Sequence, residues 1–160
     1  MKENKNISEE LKAAGYKQNV NPVVKVSLAW QRDLIFTGAT PQGYEIDFDA
    51  QSQMGCKPTE ALLLSLAGCM GIDVISILTK MRMAPASFRM EIEGTRNPEP
   101  PQYYRAVDII MHITGTNIDS KKVDRAIALS RDKYCSVYNS LRSDLSLNVR
   151  YILKEDSPEL

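Results

Sequence analysis

The residues of this chain best suited to chemistry are two cysteines in apolar company. Cys69 stands in "LAGCMGID", residues 66–73, and Cys135 in "KYCSV", residues 133–137. Ala67, Gly68 and Gly71 strip bulk from the neighbourhood of the first thiol, so another backbone or a small molecule can come close. Free cysteine also packs as a small buried hydrophobe, which is the plain structural reading of both positions. The reactive reading has a stated requirement: a thiol attacks as its thiolate, which needs nearby positive charge or a helix N-terminus. Cys69 falls about eleven residues into a predicted helix, about 16 Å from its start at 1.5 Å per residue. The helix dipole fades within the first turn and cannot reach it. An activating cation must then come from another segment, with Arg32, Arg82 and Arg105 as candidates.

Other chemistry-bearing residues read more plainly. Cys56, in the loop "MGCKP", is incidental unless that loop folds over Cys69, where it could trap an oxidised sulfur. His112 alternates onto the strand face of Asp108 and Thr114 and reads as solvated. Met54, Met70 and Met81 are core filler or the lining of an apolar pocket. Three widely spaced cysteines form no disulfide framework, and one histidine without any CxxC pair argues against a structural zinc site. No metal and no resident cofactor is expected.

The elements that must carry these thiols follow from periodicity. Residues 1–20 read as a polar extension, 21–154 as one α+β domain and 155–160 as a tail. Val24, Val26, Leu28 and Trp30 alternate onto one strand face. "LIFTG" and "YEIDFD", joined by "ATPQG", add two strands with Tyr44, Ile46 and Phe48 pointing inward. A long helix is predicted from Lys57–Glu60, with Pro58 in its first turn, to Met81–Met83 ahead of Pro85. "FRMEIEG" and "YYRAVDIIMHITG" are strands, the latter placing Arg105 with Val107, Ile109 and Met111. Asp119 caps a second helix running to about Ser143, on which Cys135 would ride. Leu145 to Leu153 alternate through a last strand. The order is βββ-α-ββ-α-β.

Residues 61–78 have the length of a membrane span, but Asp73 lies well inside them, and a charge there is costly in lipid. The stretch reads instead as a helix buried on nearly all sides, which favours a partner copy as cover. Twenty basic and twenty acidic residues balance, and no basic stripe suggests nucleic acid. The N-terminus lacks an apolar signal segment, so a cytoplasmic location is expected.

"KPTEALLLSLAGCMGIDVISIL" followed by "KVDRAIALSRDKYCSV" resembles the OsmC/Ohr family of osmotically inducible and organic hydroperoxide resistance proteins, over about residues 23–153. The resemblance implies an intertwined homodimer with two long helices packed centrally. It also implies a thiol peroxidase in which Cys69 attacks a hydroperoxide and becomes a sulfenic acid, and Cys135 resolves it to a disulfide. Glu60 falls at the family's glutamate position. Nine residues turn a helix by about 900° and advance it by about 13 Å, so Glu60 cannot meet Cys69 within one straight helix; contact across a dimer interface stays open, as does a simple helix-start role. Arg32 is the nearest equivalent by position of the family's arginine, or else a solvated hairpin residue. The family's glycine-rich turn is absent here, and Ser136 stands where many members have proline.

The function expected is reduction of small apolar organic hydroperoxides in defence against oxidative stress, with an external dithiol, of lipoyl type by the resemblance, reopening the disulfide. The alternative is a ligand-binding or redox-sensing protein on the same dimeric fold.

Overall fold

The computed structural model describes residues 20–156, so the N-terminal extension and the end of the tail lie almost entirely outside the described residues. The architecture is α+β, and the described residues fall in two compact units, 20–62 and 63–156. In the first, β1 (Ser27–Arg32), β2 (Ile35–Ala39) and β3 (Glu45–Asp49) form an antiparallel meander. Lateral pairing puts Leu28, Gly38 and Ile46 in one row and Trp30, Phe36 and Phe48 in the next. The alternation read from the sequence therefore holds, but two points differ. The first strand starts at Ser27, leaving Val24 and Val26 ahead of it. The face is also not inward: Leu28, Tyr44 and Ile46 are exposed and Trp30 keeps 66% of its surface. The described residues of this unit leave the apolar face of its sheet open.

Beyond β3, buried Asp49 accepts the backbone N–H groups of Gln51, Gln53 and Met54 at 2.8–3.0 Å, and these bonds hold its carboxyl below the usual carboxylate range. The loop so shaped leads to Cys56, whose backbone bonds Asp47 and Asp49.

Helix α1 (Pro58–Lys80) begins in this unit and continues into the second. Pro58 opens it where a missing N–H costs nothing, and Glu60 accepts the Lys57 backbone N–H at 2.8 Å. Its end is a left-handed cap: Arg82 takes φ 61°, and the Met83 N–H reaches back to the Leu78 carbonyl.

The second unit is built on a sheet ordered β4 (Ser87–Arg96), β5 (Tyr104–Thr114), β6 (Ser146–Lys154). The β4–β5 pair is antiparallel and β5–β6 parallel. A parallel neighbour requires a crossover, supplied by α2 (Ser120–Leu129), a π-helical turn (Ser130–Tyr134) and α3 (Ser136–Asn139). Leu66, Met70, Val74 and Leu78, four apart on α1, form a buried ridge. It joins Val107, Ile109, Met111 and Ile113 of β5 and Val123, Ala126 and Ile127 of α2 in a single core. Asp119 caps α2 as expected, accepting the Lys121 N–H at 2.9 Å.

The second long helix does not exist as predicted. Its α-helical part ends at Leu129, and Cys135 leaves helical geometry altogether, at φ −72° and ψ 96°. The Cys135 N–H bonds the Ser130 carbonyl, five residues back, which makes the turn π-helical.

Because Leu78 is fully buried in the ridge, Leu78→Ala is expected to destabilise the protein by about 2–5 kcal/mol. Urea unfolding should show this as a lower midpoint, whereas exposed Lys154→Ala should shift stability by no more than about 0.5 kcal/mol.

Candidate active site

The α1 ridge sets the direction of its neighbours. Cys69 sits beside Met70 at the margin of the core, and Asp73, one turn further on, lies on the same side as Cys69. An aspartate in an apolar helix must find polar partners or lose its charge. Asp73 is buried and accepts a hydrogen bond from the Ser130 hydroxyl at 3.0 Å.

Ser130 and Cys135 both face this point because of the π-helical turn. Five residues of regular α-helix would turn by about 500°, leaving the two side chains about 140° apart. The wider turn brings residue 135 back over residue 130, and the chain then breaks. Cys135 becomes the cap of α3: its Sγ accepts the Tyr138 N–H at 3.3 Å, and its carbonyl is held by the Asn139 backbone N–H at 3.1 Å and side chain at 2.9 Å. Cys135 therefore rides on no helix, correcting the expectation, and is hydrogen-bonded at both sulfur and backbone.

The result is a cluster in which the Cys69 and Cys135 sulfurs and an Asp73 carboxylate oxygen all lie within 4.8 Å of one another. Cys135 and Asp73 are buried and Cys69 half-buried. Burial pushes the Cys135 thiol from about 9.0 up to about 12; the Tyr138 N–H opposes this, while a hydrogen bond with Cys69 and the negative charges of Cys69 and Asp73 add to it. Cys135 is therefore a protonated thiol at neutral pH.

The other predicted residues have local settings of their own. Glu60 serves the start of α1, and Arg32 is exposed at the end of β1, both in the first unit. Arg82 makes the left-handed cap of α1. Arg105 is exposed on β5, bordering a surface depression with Tyr103 and Asp144. Cys56 points its sulfur at the Asp47 carbonyl, 3.7 Å away. His112 Nε2 lies 3.3 Å from Glu91, itself drawn below the usual carboxylate range by Arg89. Sequence reasoning missed Asp73 and Ser130 as site residues. The signal for Asp73 was present, a lone charge in an apolar helix one turn from a cysteine, whereas Ser130 carried none.

Residues 50–150 match a family model described as OsmC-like protein. The chain is 30% identical over 129 residues to Protein YhfA of Escherichia coli strain K12, across 80% of this chain and 96% of that one. A solved structure of a hypothetical protein from Aquifex aeolicus VF5 aligns with a TM-score of 0.78 at 28% identity, over 86% of this chain and all of that one. An organic hydroperoxide resistance protein OsmC from Legionella pneumophila aligns with a TM-score of 0.62 at 12% identity, over 83% and 98% of the respective chains. At that last identity the likeness is one of fold.

The elevated Cys135 thiol has a direct consequence for labelling. Near neutral pH its thiolate fraction is far below that of an ordinary thiol. Iodoacetamide followed by peptide mass analysis should therefore modify native Cys135 last of the three cysteines. Unfolding should erase the difference.

Proposed function

The chain belongs to the OsmC-like family, and from that premise we propose that it is a cytoplasmic thiol peroxidase that reduces organic hydroperoxides with Cys69 and Cys135. The observation that carries this reading is the proximity of the two sulfurs, within 4.8 Å of one another, from segments sixty-six residues apart in sequence. Reaching a disulfide bond of about 2.05 Å requires less than about 3 Å of closure.

The cycle balances as follows. The Cys69 thiolate attacks the terminal oxygen of the hydroperoxide, the O–O bond breaks, and the alkoxide leaves as an alcohol after taking a proton. Cys69 is then a sulfenic acid. The Cys135 sulfur attacks Cys69, its proton joins the departing hydroxide, and water leaves as the disulfide forms. Asp73 is placed to relay that proton, since its carboxylate lies beside both sulfurs. An external dithiol, of lipoyl type by the family resemblance, restores both thiols by exchange and is itself oxidised. Apolar surroundings of Cys69, which packs against the core, favour alkyl or aryl peroxides over hydrogen peroxide. Arg32 and Glu60 are the charged pair we assign to support the attack.

We assign the working unit as a homodimer. Support comes from α1, where Leu64 stays 61% and Ile72 49% exposed. These two residues, with Ala67, Gly68, Gly71 and strand β4, line an open apolar groove of about 590 Å³. Small residues on such a face admit close approach of a second helix.

One specific observation favours the alternative. The charges acting on Cys135 are negative, and a carboxylate opposes thiolate formation. A redox sensor oxidising once per encounter fits that electrostatic setting.

Consumption of cumene hydroperoxide with excess dithiol tests the peroxidase. Turnover should vanish in Cys69→Ser, fall in Cys135→Ser, and drop severalfold in Arg32→Ala and Glu60→Gln. A disulfide formed at stoichiometric peroxide without turnover would select the sensor instead. For assembly, light scattering should return twice the chain mass, and Ile72→Glu should return the single chain with unchanged circular dichroism.

A further inference from the structure

The cluster at the end of the π-helical turn has a chemistry that the peroxide cycle does not use. Two sulfurs and a carboxylate oxygen converge from two segments, residues 69–73 and residue 135, into a space less than 4.8 Å across. Each is an anionic donor when deprotonated. Such a set is electrostatically unfavourable with three charges and no counter-ion, and favourable around a cation.

The donor types narrow the choice. Thiolates select soft or borderline ions, and two sulfurs with one carboxylate suit a four-coordinate d¹⁰ divalent cation with a water in the fourth position. At metal–sulfur distances of about 2.3 Å and metal–oxygen distances of about 2.1 Å, tetrahedral donors stand about 3.5–3.8 Å apart. Drawing the present donors to that spacing takes about an ångström shared among three side chains. The supporting contacts are already made: the Ser130 hydroxyl fixes the Asp73 carboxylate at 3.0 Å, and the Tyr138 N–H donates to the Cys135 sulfur at 3.3 Å. Entry is from the side of Cys69, which is half-buried where the other two donors are buried.

We infer that Cys69, Asp73 and Cys135 of the reduced protein bind one thiophilic divalent cation of the zinc class. Binding replaces two thiol protons with two metal–sulfur bonds and releases both protons to solvent. It weakens as pH falls, because the protons compete for the sulfurs. The disulfide state cannot bind in this way, since both sulfurs are then committed to each other and neither is a thiolate. Metal and oxidation are thus mutually exclusive at this point: a bound ion shields Cys69 from peroxide, and oxidation expels it. The site depends on the approach of the two thiols and not on peroxide turnover.

The test uses the full-length protein, reduced and held without oxygen, titrated with Cd²⁺ while sulfur-to-metal charge-transfer absorption is recorded, and with Zn²⁺ in calorimetry. One ion per chain is expected, with the charge-transfer band lost in Cys69→Ser and in Cys135→Ser and kept in Cys56→Ser. Ser130→Ala should weaken binding by about ten- to a hundredfold. Wild-type protein oxidised to the Cys69–Cys135 disulfide should show no band, a comparison that needs no variant to fold. The inference is overturned if reduced wild type shows no band. It is equally overturned if the band survives disulfide formation, or if it disappears in Cys56→Ser while persisting in Cys69→Ser. None of these readouts involves peroxide, so peroxidase activity can fail independently.

Discussion

The seating of one apolar ridge on one strand governs residues 63–156. Leu66, Met70, Val74 and Leu78 project from α1 into a core shared with Val107, Ile109, Met111 and Ile113 of β5. Four buried side chains of this size contribute roughly 1.5–3 kcal/mol each on removal from water. That burial fixes the rotation of α1 about its own axis. Cys69 and Asp73 are not free to choose their direction, because they flank ridge residues in sequence. The half-exposure of Cys69 and the full burial of Asp73 both follow from this rotation. The same packing accounts for the helix itself. Long and apolar enough to cross a membrane by composition, α1 has half of its most apolar stretch buried inside the protein and carries a hydrogen-bonded aspartate on that side.

The second determinant is the departure from α-helix after Leu129. A π-helical turn is less favourable than the regular alternative and persists where the surroundings over-determine it. Here Ser130 bonds Asp73, the Cys135 N–H bonds Ser130, and Asn139 and Tyr138 hold the carbonyl and sulfur of Cys135. These bonds convert a helix that would have pointed Ser130 and Cys135 apart into a bend that points both at α1.

The electrostatics of that place are mixed, and informatively so. The proposed peroxide cycle needs one thiolate and one thiol, and the neighbours of Cys135 keep it a thiol by burial and by like charge. A carboxylate beside both sulfurs helps move protons but does nothing to draw out a thiolate. The same arrangement that makes the attack demanding makes the reduced cluster a natural seat for a cation. The proposed peroxide reduction and the proposed cation binding would be alternative uses of two sulfurs whose spacing is set by the fold.

Much of this was legible beforehand. Alternation and turn signals located the six strands of the described residues, because a strand with one apolar face repeats every two residues. Pro58, Pro85 and Asp119 marked helix ends, because unsatisfied backbone groups and proline's missing N–H select particular residues there. The paired cysteines and their contexts pointed to the OsmC-like fold. What the linear order could not carry was the break at Cys135. The stretch from Ser130 to Tyr134 has ordinary helical composition, and its π-helical turn arises from contacts with Asp73, fifty-seven residues earlier. Nor could alternation say whether the face of Leu28 and Trp30 is covered by this chain, since a period of two reports which side is apolar and not what lies against it. Local pattern determined the elements and their apolar faces. Only the tertiary structure decided which polar groups meet, because that depends on how one helix is rotated and where another gives way.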